Sequence, residues 1–250
     1  RIRAVADQMG FHPNQMARSL VSRKTRIIGV AFPGVDSQSL AHPFYPQVLQ
    51  GLGQVAAQRR YSILLGMTPK ESNLTDTVHQ LVDSGYVSGL LLLAAEENLV
   101  LGELGVPVVL IGRPQSGECA YFVDTDNVEA GRVATEYLLS RGHRRILLLG
   151  YDKQYIVTVD RRAGYEQALS RRGVPFCRDW VVPSPFLNNT TDRALLESIF
   201  RKKEHPTAVV CMDDAQAIGL AGCLSAIGLS VPEDVSVVSF NNTQAGQYHH

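Results

Sequence analysis

Long apolar runs, paired cysteines and phosphate-binding loops are all missing from this chain of 250 residues. Its longest apolar stretch, Val106 to Gly112, falls far short of the ~20 residues a membrane span needs, so no membrane partner is expected. Cys119, Cys177, Cys211 and Cys223 are 58, 34 and 12 positions apart, without a Cys-x-x-Cys pair or a matching histidine spacing. They read as buried or inert thiols, and no metal site is expected. There is no Walker-type loop, no Gly-x-Ser-x-Gly elbow and no His-Glu-x-x-His helix, and the seven histidines have no Cys or Ser partner at a motif spacing. The chain is therefore not expected to be an enzyme, and no catalytic residue or cofactor is assigned. Gly51-x-Gly53-x-x-Ala56 fits a dinucleotide fingerprint on paper, yet it falls inside a helix-period segment instead of the turn directly after a strand. The first residues lack the basic region, apolar region and cleavage site of a secretory signal, which points to a cytoplasmic location. Solenoid repeats and low-complexity segments are absent as well.

What the chain does contain is unevenly placed. Net charge is zero, but residues 1–26 hold six basic side chains against Asp7 alone, a net of +5, and the remainder carries −5. A basic arm on an acidic body is the footprint of a chain whose end meets a polyanion, most often nucleic acid. After the arm, apolar runs of strand length alternate with helical periods. The runs are Ile27 to Phe32, Ser62 to Leu65, Gly89 to Leu93, Val106 to Ile111, Arg145 to Leu149, a short one at Trp180 to Val182, Ala208 to Met212 and Val235 to Phe240. Between them Val48, Leu52, Val55 and Ala56 line one helix face, as do Ala130, Ala134 and Leu138, then Ala194 and Ile199. Helices between strands mean right-handed crossovers and a parallel sheet covered on both faces. Four runs precede Tyr121 to Asn127 and the rest follow it. The expected fold class is therefore α/β, as two doubly wound parallel-sheet lobes. Ligands bind at the carboxyl ends of such strands, and two facing lobes would enclose one cleft.

Within the arm, Ile2, Val5, Ala6 and Met9 form the stripe of a helix that Gly10 stops, and Pro13 and Asn14 open a second, short helix from Gln15 to Val21. The string Gly10-Phe11-His12-Pro13-Asn14, then Ala17-Arg18-Ser19-Leu20, Thr25, Ile28-Gly29-Val30 and His42-Pro43-Phe44-Tyr45 resembles the junction of headpiece and core in the lactose repressor/galactose repressor family. The resemblance implies a periplasmic-binding-protein-like core behind the remnant of a DNA-binding headpiece, with the helix-turn-helix upstream of Arg1. It implies a division into 1–26 for headpiece end and hinge helix, 27–123 for the N-terminal lobe, and 124–250 for a C-terminal lobe that the family normally extends by some tens of residues. In that family a leucine of the hinge helix wedges into the operator minor groove. The matching position is Leu20, with Asn14, Ala17 and Arg18 as its DNA-facing neighbours.

Further matches run through the core at Val123-Asp124-Thr125-Asp126-Asn127, Asp160-Arg161-Arg162-Ala163-Gly164-Tyr165, Cys211-Met212-Asp213-Asp214 and Ser239-Phe240-Asn241-Asn242-Thr243. By spacing from Gly164, the family's effector-binding arginine corresponds to Arg161, whose planar fork can donate two hydrogen bonds to adjacent oxygens. Asp213 and Asn241 can accept from hydroxyls, and Phe44 or Phe186 can offer a flat face to a sugar ring. Each has a plainer reading: Asp160 or Asp213 could pair with Arg161, Phe44 could be core, and Asn241 could cap its loop. The resemblance implies a homodimeric repressor-type regulator whose partners are operator DNA and a small carbohydrate. The Asn241-Asn242-Thr243 triplet, with Val157 to Arg161, looks like the family's maltose-responsive branch. An exported sugar-binding protein of a transport system shares the expected fold and is the alternative, against which the basic arm and the free cysteines argue.

Overall fold

The computed structural model describes residues 25–35, 44–69, 72–93, 104–114, 121–151, 155–183 and 190–248. Asn14, Ala17, Arg18 and Leu20 of the arm, together with Cys119 and Phe186, lie outside the described residues. The chain divides into two compact units. One is built mainly from Gln47–Ile111 with the strand before it, and the other from the chain after Val123 together with the short segments around Phe44 and Arg113.

In the first unit the order is β1 (Ile27–Val35), α1 (Phe44–Gln58), β2 (Ser62–Pro69), α2 (Leu74–Asp83), β3 (Gly89–Leu93), β4 (Val108–Ile111) and β5 (Phe122–Val123), giving a sheet ordered β2-β1-β3-β4-β5. The β1–β2, β1–β3 and β3–β4 pairings are parallel. Helix α2 starts where Asn73 accepts a hydrogen bond from the Asp76 amide at 2.8 Å, satisfying one of the helix's unpaired donors. Its Leu74, Val78 and Leu81 recur at helical spacing and pack with Ala31, Leu90, Leu92 and Leu110. Helix α1 buries no side chain fully, and Val55, expected on its packed stripe, is 56% exposed. Val48, Leu52 and Ala56 follow a four-residue step along one line, whereas Val55 stands one residue, about 100°, from Ala56. Gly51 and Gly53 lie inside this helix, so the fingerprint-like string forms no loop after a strand.

The second unit runs α3 (Asn127–Ser140), β6 (Ile146–Gly150), α4 (Ile156–Arg171), a 3-10 turn (Arg178–Trp180), β7 (Val181–Pro183), α5 (Thr190–Phe200), β8 (Ala208–Cys211), α6 (Asp214–Ala226), β9 (Ser236–Val238) and α7 (Gln244–Tyr248). Its sheet is parallel throughout, in the order β7-β6-β8-β9. Side chains alternate across a strand, so a strand covered on both faces must be apolar at every position. β6 obeys this: Ile146 and Leu148 join the core with Leu138, Tyr165 and Leu169 of α3 and α4, while Leu147 and Leu149 join Leu196, Leu220 and Leu224 of α5 and α6. Each buried leucine of this kind contributes about 1.5–3 kcal/mol. On α5 the inward positions are Leu196, Ile199 and Phe200, and Ala194, expected on that face, is exposed. β9 is shorter than its apolar run, ending at Val238 because Ser239 and Phe240 are committed to side-chain contacts described below.

Helices α3 and α4 cross at two glycines. A Cβ on Gly131 would stand 2.2 Å from the Arg161 carbonyl oxygen, and one on Gly164 would stand 1.9 Å from that of Val128. Only hydrogen fits at either place, and the close approach brings Asn127 within reach of Arg161. Gly164→Ala must therefore push the helices apart against backbone that cannot yield. A loss of roughly 1–3 kcal/mol is expected, read as a lower urea midpoint with unchanged slope; a parental midpoint would show that the crossing is not tight.

Candidate functional site

In the second sheet, β7 lies on one side of β6 and β8 on the other. The connections leaving the β6 and β8 carboxyl ends thus diverge, which opens a crevice there in doubly wound sheets. Three side chains at the start of α6 shape this place. Gln216 accepts from the Met212 amide at 2.9 Å and donates to the Gly150 carbonyl at 3.4 Å, joining the two strand ends. Asp213 caps α6, accepting from the Gln216 amide at 2.7 Å. Buried Asp214 accepts from the Ser239 hydroxyl through Oδ1 and from the Thr243 amide through Oδ2. Its two bonds bracket Phe240, Asn241 and Asn242, and both asparagines adopt left-handed backbone, with φ of 85° and 47°. That conformation costs most L-residues about 1–2 kcal/mol, and asparagine tolerates it best after glycine.

Over this floor lies the guanidinium of Arg161. Nε donates to Asn127 Oδ1 at 3.0 Å and Nη1 to the Met212 carbonyl at 2.6 Å, while Cζ sits 4.0 Å from the centre of the Phe240 ring. Burial pulls its pKa down to about 10, opposed in part by the charge of Asp124, so it remains a cation at neutral pH. Stacking on an aromatic ring returns about 0.5–2 kcal/mol. Desolvating an ion costs several kcal/mol, so neutral partners leave this charge under-compensated.

The nearby carboxylates are engaged elsewhere. Asp160, adjacent in sequence, is held by Arg113 through a fork at 2.7 and 3.1 Å. Asp124 accepts from the amides of Arg113 and Thr125 and from Asn127 Nδ2. Asp213 and Asp214 are bound as described. Among the described residues no carboxylate forms an ion pair with Arg161, and its Nη2 donates to none of them. The arrangement can therefore grip acceptor oxygens of a polar molecule.

Of the residues singled out from the sequence, Arg161, Asp213 and Asn241 gather around these strand ends. The plainer reading of Asp160 or Asp213 as the arginine's partner does not hold, because Asp160 faces Arg113 and Asp213 faces the α6 amides. Phe44 opens α1, is 37% exposed and stacks edge-on with Tyr45 at 5.6 Å. Asn127, Phe240 and Arg113 were not singled out. The first two lie in strings that carried the resemblance, whereas no sequence signal marks Arg113. Cys211 and Cys223 are buried, and burial raises the pKa of both. No group of three potential metal ligands and no helix long and apolar enough to cross a membrane occur among the described residues.

Comparison with known proteins gives relatives of the whole chain. Residues 135–250 match a periplasmic binding protein-like domain. The chain is 31% identical over 246 residues to the HTH-type transcriptional regulator MalR of Streptococcus pneumoniae, covering 97% of this chain and 74% of that protein. It is 28% identical to the HTH-type transcriptional regulator CelR of Thermobifida fusca, covering 99% and 74%. A transcriptional regulator LacI structure from Bacillus cereus subsp. cytotoxis superposes with a TM-score of 0.80 at 31% identity, covering 88% of this chain and 79% of that one. A CelR–cellobiose complex superposes with 0.80 at 25% identity, covering 99% and 74%.

The Asp214 staple yields a direct expectation. Asp214→Ala should release Ser239 and Thr243 and lower stability by about 2 kcal/mol in thermal unfolding. Asp214→Asn should retain most of it, since the amide can still accept from Thr243 and donate to Ser239. Equal losses in both variants would contradict the staple.

Proposed function

The chain belongs to the lactose repressor/galactose repressor (LacI) family of HTH-type transcriptional regulators, and on that premise we propose that a small carbohydrate gripped by Arg161 controls its binding to operator DNA. The observation that carries this reading is the buried guanidinium with unused donors, no carboxylate partner among the described residues, and a position at the β6/β8 strand ends. A sugar presents adjacent hydroxyl oxygens at the spacing a guanidinium fork can meet. Asn241, exposed beside Phe240, contributes an amide to hydroxyls. Asp213, Phe44 and Phe186 complete the proposed contact set. Cellobiose in the CelR complex supports a carbohydrate as the ligand class, and the sequence likeness around Val157 to Arg161 favours a maltose-type disaccharide.

DNA contact is assigned to residues 1–26, with Leu20 as an apolar wedge between base steps and Asn14, Ala17 and Arg18 beside it. Residues 27–123 and 124–250 form the two lobes of the effector-binding core. The effector acts by favouring one of two DNA-binding states, in proportion to its difference in affinity for them. Operator DNA as partner implies a cytoplasmic protein. The matched relatives are transcriptional regulators, which favours this reading over enzyme or exported transport component. A homodimer is supported by the first unit, where Leu65 and Met67 of edge strand β2 and Val55 of α1 are exposed apolar side chains.

Titration with maltose and with cellobiose should raise the melting temperature progressively, by the equivalent of about 2.7 kcal/mol at a hundred times the dissociation constant. Arg161→Ala should abolish the response. A flat response to every sugar tried would end the carbohydrate reading. For assembly, sedimentation of the parent should give twice the chain mass, and the double variant Leu65→Asp/Met67→Asp should give the monomer; a monomeric parent removes the dimer.

A further inference from the structure

Arg113 lies in the connection after β4, 48 positions before Arg161, yet a closed ring of contacts runs through both. Its Nε and Nη2 donate to Asp160 Oδ2 and Oδ1 at 3.1 and 2.7 Å. Asp160 is joined by one peptide bond to Arg161, whose Nε donates to Asn127 Oδ1 at 3.0 Å. Asn127 Nδ2 donates to Asp124 Oδ1 at 3.0 Å, and Asp124 Oδ2 accepts from the Arg113 amide at 2.8 Å, which closes the circuit.

Each link removes a freedom that the next would otherwise keep. The Asn127 amide could present either its oxygen or its nitrogen to α4. With Nδ2 held by Asp124 and by the Thr125 carbonyl at 3.1 Å, the oxygen must face Arg161. The Arg113 fork fixes Asp160 in position and plane, as a bidentate pair does and a single contact does not. Neutralising Asp160 also keeps its charge from competing with a ligand for the Arg161 guanidinium.

We propose that Arg113 is a positioning residue for the effector site: through Asp160 on one side and Asp124–Asn127 on the other, it holds the Arg161 guanidinium in its ligand-accepting orientation. The proposal rests on the reading of Arg161 as the effector-binding arginine. A simple surface ion pair would be the alternative, since the Arg113 side chain is 42% exposed against 13% for Asp160. In that case Arg161 would not register its loss.

The full chain, labelled with 15N at arginine, separates the two. The Arg161 Nε–H resonance is identified by its absence in Arg161→Lys. Arg113→Met should speed exchange of that proton with water by about tenfold and weaken maltose or cellobiose binding by about five- to tenfold. Arg113→Lys, which keeps the charge but not the fork, should resemble Arg113→Met. Combining Arg113→Met with Asp160→Ala should cost no more affinity than Asp160→Ala alone, because the Arg113 side chain acts through Asp160. Unchanged exchange in Arg113→Met, or affinity losses that multiply in the double variant, would overturn the proposal. Should neither sugar bind the parent, the effector reading fails while the exchange rate still decides whether the ring positions Arg161.

Discussion

A cation held among neutral partners is the constraint around which the second unit is organised. Arg161 gives up much of its water to lie over Phe240, and receives in return one amide oxygen, one main-chain carbonyl and one aromatic face. These contacts together fall short of what a paired carboxylate would supply in the same surroundings. The fold tolerates the deficit because the carboxylates around it are satisfied: Asp160, Asp124, Asp213 and Asp214 all end on donors other than this arginine. A group left wanting acceptors at a strand end adds little to stability.

The scaffold beneath it explains why the deficit survives thermal motion. β6 and β8 are buried at every position, and Gln216 ties their ends. The two-glycine crossing of α3 and α4 fixes the distance between Asn127 and Arg161 through main-chain contact, which no rotamer change can relax. Asp214 does the same for Phe240 from the opposite side, holding a loop whose asparagines sit in left-handed conformation. Three rigid elements thus meet on one side chain, the arrangement that a selective polar site requires.

Much of this was legible from the chain. β6 and β8 read as unbroken apolar runs because both of their faces are covered, and Gly164 served as the register mark for Arg161 because only a glycine fits where α4 meets Val128. Other features were not. Val55 and Ala194 belong to apolar-looking stripes yet lie exposed, since periodicity names a face without saying what packs against it. Asp160 looked like a partner for its neighbour Arg161, but adjacent residues on a helix point about 100° apart, and the partner it found lies 47 positions away.

By itself, the order of residues determined the alternation of strand and helix, the parallel sheets and the family. Each of these depends on local periodicity or on short strings whose spacing survives without three-dimensional context. Only the tertiary structure decided which carboxylate meets which cation, that Phe240 and Asn127 converge on Arg161, and that Arg113 takes Asp160. Pairing of charges is set by direction and distance between segments remote in the chain, and Coulomb attraction favours whichever donor the packed helices happen to bring near.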